Sequence, residues 1–147
     1  MPPKQQQMDA KKQNSKMLLV SIVDDDASVR SSTLRLLRWS GLRAEAFSSA
    51  EDFLSSDFLG QTACLLLDVR MPGMGGLELQ QRLTELGQRI PIVFLSARAS
   101  EEEEQRGLRA GAAGFLRKPV SKEALLSAIQ SIFEPPPGNI SNPSKEL

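Results

Sequence analysis

Short apolar runs alternate along this chain with segments whose apolar residues recur every three or four positions. The runs are residues 18–23, 44–47, 64–67, 92–95 and 114–116. Each is too short for a helix, and most are continuously apolar, the pattern of strands buried on both faces. A helical segment follows each one. Residues 29–40 place Thr33, Leu36 and Leu37 on a core face and stop at Gly41. Ser48 with Glu51 has the spacing of a capping box ahead of a short helix through Leu54. Residues 77–86 carry Leu79, Leu83 and Leu86 in register and stop near Gly87. Ser100 with Glu103 is a second capping box, for a helix running to Gly111. Ser121 caps a last helix with an apolar stripe of Ala124, Leu125, Ala128, Ile129, Ile132 and Phe133.

Five strand–helix repeats predict an α/β domain with a parallel sheet covered on both faces. In such a sheet the strand C-termini share one edge, and ligands bind there. The residues just past the strands are Asp24 and Asp25, then Asp68, Ser96 and Lys118. The domain spans residues 17–133 with a net charge of −2. Residues 1–16 are Gln/Lys-rich with a charge of +3 and predict a disordered polar tail. Residues 134–147 hold Pro135, Pro136, Pro137 and Gly138 and predict a linker or tail.

Composition narrows the chemistry. The 147 residues contain 18 basic and 18 acidic side chains, so there is no global attraction to nucleic acid or membrane. Histidine and tyrosine are absent and Cys64 is the lone cysteine, which excludes Ser-His-Asp and Cys-His nucleophile systems and Cys/His zinc sites. It also excludes an internal disulfide and fits a reducing, cytoplasmic setting. No apolar run approaches the ~20 residues of a membrane span, and no secretory signal opens the chain.

Three carboxylates and an ammonium at one edge form a coherent set. Crowded carboxylates repel and call for a cation. Oxygen-only ligands suit a hard divalent ion such as Mg²⁺, with Mn²⁺ as an alternative. Lys118 and the Ser96 hydroxyl can hold phosphate oxygens. An aspartate can be the nucleophile that forms an aspartyl-phosphate. Composition leaves open which one; a central strand favours Asp68.

These residues sit in longer stretches that resemble the response-regulator receiver domain of two-component systems. The stretches are Val23-Asp24-Asp25-Asp26, then Leu65 to Asp68 followed by Val69-Arg70-Met71-Pro72-Gly73-Met74-Gly75-Gly76, then Leu95-Ser96-Ala97, Ala110-Gly111-Ala112 and Phe115-Leu116-Arg117-Lys118-Pro119. The wording after Asp68 is most similar to the FixJ-like branch, in which a DNA-binding domain usually follows. The resemblance implies a flavodoxin-like (βα)5 doubly wound sheet in strand order 2-1-3-4-5. It implies that Asp68 accepts a phosphoryl group from a sensor histidine kinase or phosphotransfer protein. Asp25, Asp68 and the Arg70 backbone carbonyl would ligate Mg²⁺, with Asp24 joining directly or through water. Ser96 and Phe115 would be the switch pair, Lys118 the phosphate partner, and the Lys118–Pro119 peptide cis. Phosphorylation would alter the surface of the fourth helix, fifth strand and fifth helix, where a partner or a second copy binds.

Plainer readings compete. The Asp24–Asp26 triplet alone reads as a solvated acidic turn, and Asp26 as a surface residue rather than a ligand. Ser96 alone reads as a cap. Glu101 to Glu104 suit the positive end of a helix dipole. That helix is expected to be the least firmly held, with Leu108 as its main apolar anchor. Leu34 and Trp39 fall off the first helix's core face, and Cys64 reads as an inert strand residue. Rival functions are a Mg²⁺-dependent phosphohydrolase, a truncated DNA-binding regulator and a phosphorylation-independent docking module. The first lacks a carboxylate two residues after Asp68, and the second lacks a basic face.

Overall fold

The computed structural model describes residues 18–134. The tail expected over 1–16, and that expected over 134–147 except for Glu134, which ends the last helix, lie outside the described residues. Strands β1 (Leu19–Val23), β2 (Arg43–Phe47), β3 (Thr62–Asp68), β4 (Ile92–Ser96) and β5 (Gly114–Arg117) form one parallel sheet in the order β2-β1-β3-β4-β5. The helices are α1 (Ala27–Trp39), α2 (Ala50–Leu54), α3 (Gly76–Glu85), α4 (Glu101–Arg109) and α5 (Lys122–Phe133). This is the doubly wound architecture and strand order that the resemblance implies.

Side chains alternate across a strand, so a continuously apolar strand feeds two cores at once. Val23, Leu65, Leu67, Ile92 and Phe94 face one core, which α2 and α3 close with Phe53, Leu79 and Leu83. Val20, Ile22, Cys64, Leu66, Val93 and Leu95 face the other, which α1 and α5 close with Leu37, Leu125 and Ile129. Burial pushes the Cys64 thiol up to about 12, so it stays protonated and inert.

Several local expectations are corrected. Helix α1 starts at Ala27, two residues early, because the Asp26 side chain accepts from the amides of Ser28 and Val29. Leu34 is not off the core face; it is half-buried against the α1/α5 core. The cap of α2 is Ser49, not Ser48: its hydroxyl accepts from the Asp52 amide at 3.1 Å while the backbone at Ser49 is extended. A 3₁₀ turn at Leu59–Gln61 and the start of β3 at Thr62 escape the hydropathy pattern because the one large apolar residue there, Leu59, is followed by Gly60, Gln61, Thr62 and Ala63, all polar or small. Thr62 is nevertheless buried, sharing a 2.7 Å hydrogen bond with Ser21. Leu86 caps the end of α3 and is exposed rather than part of its core face. Ala124, expected in the α5 stripe, is also exposed, lying in the helix's first turn beside its cap.

Helix α4 differs most. Leu108 is exposed and does not anchor it. Its one buried residue is Gly107, where a Cβ would lie 2.9 Å from the Phe94 ring. The helix approaches the sheet through the absence of a side chain.

Candidate functional site

Strand β1 delivers Asp24 and Asp25 to the C-terminal edge, and β3, the central strand, delivers Asp68. The turn after β1 is tightly bonded. Asp24 donates its amide to the Phe47 carbonyl at 3.1 Å, and its Oδ1 accepts from the Asp26 amide at 2.9 Å. Asp26 is exposed and spends its carboxylate on the α1 cap, as a non-ligand would. Behind Asp68, α3 begins so close that a Cβ on Gly76 would lie 2.3 Å from the Asp68 carbonyl oxygen. Only glycine fits there, and the Gly76 amide bonds the Val69 carbonyl at 2.9 Å.

Asp24, Asp25 and Asp68 each offer an oxygen within 4.8 Å of the others. Lys118 reaches this group from the end of β5, where its backbone amide is tied to the Ser96 carbonyl at 3.0 Å. Its Nζ donates to Asp24 Oδ2 at 2.7 Å and to Asp68 Oδ2 at 3.4 Å. The Lys118–Pro119 peptide is cis.

The electrostatics follow from crowding. Burial raises the Asp68 pKa and the Asp24 charge adds to this, against the opposing Lys118 charge and the Arg70 amide. For Lys118, burial works downward. The hydrogen bond to Asp24 and the charges of Asp68 and Asp24 together outweigh it and raise its pKa. One ammonium faces three carboxylates, so negative charge remains for a divalent cation to balance. An all-oxygen donor set of this kind fits Mg²⁺ or Mn²⁺.

Ser96 closes β4 and is buried. Its Oγ accepts from the amides of Arg98 at 3.2 Å and Ala99 at 3.0 Å. It therefore caps the following loop and keeps its hydroxyl hydrogen to donate. Phe115 is half-buried, with its ring centroid 5.7 Å from that of Phe94. Arg70 donates its amide to Asp68 Oδ1 at 3.4 Å, while its guanidinium pairs with Glu103 at 2.8 Å. Beside the acidic group lies a cavity of about 770 Å³, whose lining includes Asp25, Asp68, Arg70, Lys118, Leu36 and Leu125.

Three participants went unread in the sequence. Arg30 donates to the Asp24 carbonyl at 2.7 Å. Arg117 pairs with Glu104 at 2.7 Å, bonds the Ala99 carbonyl, and lies 5.3 Å from the Phe115 ring centroid. Glu103 was legible as half of the capping box with Ser100, which it is, and as one of four acidic residues in a helix first turn, but not as the partner of Arg70. No helix among the described residues is long and apolar enough to cross a membrane.

The sequence profile of the response regulator receiver domain matches residues 20–130. Among curated proteins, the response regulator protein TmoT of Ectopseudomonas mendocina is 43% identical over 123 residues, which is 82% of this chain and 55% of TmoT. The transcriptional regulatory protein FixJ of Azorhizobium caulinodans is 34% identical over 114 residues, 78% of this chain and 54% of FixJ. The chain thus spans about half the length of the curated relatives it matches. Among solved structures, response regulator StyR superposes with a TM-score of 0.75 at 40% identity, covering 88% of this chain and 66% of StyR. FixJ-N gives 0.72 at 31% identity, covering 81% and 95%.

Proposed function

The chain belongs to the response-regulator receiver family of two-component signalling, and we propose that Asp68 is its phosphoacceptor, with Lys118 and Ser96 as its chemical partners. The observation that carries this is the convergence of Asp24, Asp25 and Asp68 within 4.8 Å, with Lys118 bridging two of them.

In the proposed reaction an Asp68 carboxylate oxygen attacks phosphorus of a phosphohistidine in line. The new O–P bond forms as the P–N bond breaks, and the imidazole leaves with the electron pair and takes a proton. Lys118, held by Asp24 within reach of Asp68, follows the charge onto a phosphoryl oxygen. Asp24, Asp25, Asp68 and the Arg70 carbonyl would hold Mg²⁺, or Mn²⁺ in its place. When bound, the ion neutralises charge on the phosphoryl oxygens. Ser96 then donates its free hydroxyl hydrogen to the aspartyl-phosphate. That pull acts on the loop whose Arg98 and Ala99 amides it already holds. Phe115 turns inward, and the α4–β5–α5 surface changes for a partner or a second copy. The modification selects a conformer through its differential interaction energy.

The domain is regulatory, and its chemistry is limited to its own phosphorylation and dephosphorylation. A phosphohydrolase with an aspartate nucleophile would need a second carboxylate two residues after it, as general acid–base. The residue two positions on is Arg70, whose guanidinium is paired with Glu103. The family and the free Cys64 support a cytoplasmic location, with a sensor histidine kinase or phosphotransfer protein as donor. A second reading draws on the transcriptional regulatory name of FixJ and its 54% coverage: this is the receiver half of a DNA-binding regulator, with no nucleic-acid contact of its own.

The test is phosphorylation by acetyl phosphate with Mg²⁺, read by intact mass. Asp68→Asn should take no label, whereas stoichiometric labelling of that variant would refute the assignment.

A further inference from the structure

The acidic turn is held at one more point than its chemistry requires. Arg30, one turn into α1, places Nη1 at 2.7 Å from the Asp24 carbonyl oxygen. That carbonyl belongs to the peptide unit leading into Asp25, so fixing its plane fixes where Asp25 starts. Asp24 itself is engaged at its amide and at both carboxylate oxygens. The exposed Asp25 carboxylate has no hydrogen-bond partner among the described residues, so its aim depends on the backbone beneath it. Among the described residues Arg30 forms no salt bridge.

We infer that Arg30 is a positioning residue for the divalent-cation site, orienting the Asp24–Asp25 peptide through its carbonyl without itself binding a carboxylate. An arginine paired with Asp25 would compete with the cation; one on the carbonyl does not. Charge alone acts in the opposite sense, because a guanidinium near the site repels a dication. The sign of a substitution effect therefore separates positioning from charge. The inference rests on Asp24, Asp25 and Asp68 being the cation ligands.

Calorimetric titration of Mg²⁺ into the full chain, without phosphodonor, tests it. Losing a hydrogen bond from a charged donor should weaken Mg²⁺ binding by roughly tenfold in Arg30→Gln. Arg30→Lys keeps the charge but shortens the reach, and should fall between. Arg43→Gln removes the same charge at the start of β2, where Arg43 meets Gln61 at 2.9 Å, and should bind as the parent does. Mg²⁺ binding by Arg30→Gln as tight as the parent's, or tighter, overturns the inference. A parent chain that binds no Mg²⁺ overturns the ligand assignment instead. Amide exchange at Asp25 in the metal-free chain is an independent readout: it should quicken in Arg30→Gln, and unchanged exchange counts against positioning. If circular dichroism shows Arg30→Gln unfolded, Arg30→Lys decides, since weaker binding supports the inference and parental binding overturns it.

Discussion

The acidic edge and helix α4 lie side by side but are held by different forces. Asp24 follows β1 directly and Asp68 ends its neighbour β3, with apolar residues on both faces behind them. Helix α4 buries only Gly107. It is pinned instead by polar contacts from three other segments. Gln80 of α3 donates to the Gly107 carbonyl at 2.9 Å, Arg70 pairs with Glu103, and Arg117 of β5 pairs with Glu104. Apolar burial gives a stiff, non-directional hold, whereas exposed ion pairs contribute little each and exchange readily with water. The fold thus sets a firm chemical site beside a helix that can be released in small steps, as a phosphorylation-controlled surface needs.

The two glycines that let helices approach the sheet give the sharpest contrast. Gly76→Ala drives a Cβ into the Asp68 backbone and should lower stability by about 3 kcal/mol in urea denaturation. Gly107→Ala meets side chains only, the Phe94 ring and the end of Leu77, which can yield, and gains helix propensity, so its loss should be about 1 kcal/mol. Equal losses would erase the distinction between the two regions.

Hydrogen exchange should show a smaller effect. Amides of α4 should exchange faster than those of α5, which buries Leu125 and Ile129. Arg117→Ala and Glu104→Gln should each quicken α4 further, Arg117→Ala the more because it also loses the Ala99 bond, and the double variant should add nothing to Arg117→Ala, which already removes the pair. Global stability should change by less than about 1 kcal/mol, since both side chains are partly exposed. Exchange in α4 slower than in α5 would contradict the comparison.

The sequence disclosed these regions unequally, for the same physical reason. Strands that end in chemistry are apolar runs followed by Asp or Lys, so Asp24, Asp25, Asp68 and Lys118 were legible from position alone. The pins were not. Arg30, Arg70 and Arg117 reach backbone carbonyls or distant carboxylates, and nothing in their local pattern marks the partner. The anchor of α4 was misread as Leu108 because hydropathy scores side chains, and Gly107 packs by having none. Leu34 and Ala124 were misplaced for a related reason: helical spacing gives a face, not how far the neighbouring elements extend over it.

Acid should move the two regions in opposite directions, the smallest effect expected. Burial raises the Asp68 pKa, so without metal its ionised form destabilises the fold, and the penalty fades as pH falls through that raised value. Asp68→Asn should therefore melt above the parent at neutral pH, with the gap closing in mild acid. Glu103 lies below the usual glutamate value, first through the Ser100 amide and also through Arg70. Its contribution is present above the ordinary glutamate range and is lost as pH falls through its lowered value, so α4 exchange should quicken there. A constant melting gap would remove the first half of this prediction.

The central claim is that distant acidic residues converge to make Asp68 the group that takes a phosphoryl. Peptide-level localisation of the acyl-phosphate after treatment with acetyl phosphate and Mg²⁺ tests it most directly. A single modification on Asp68, lost when Mg²⁺ is chelated, is the predicted result. Modification of another aspartate in its place, or equal labelling without a divalent ion, would contradict the account.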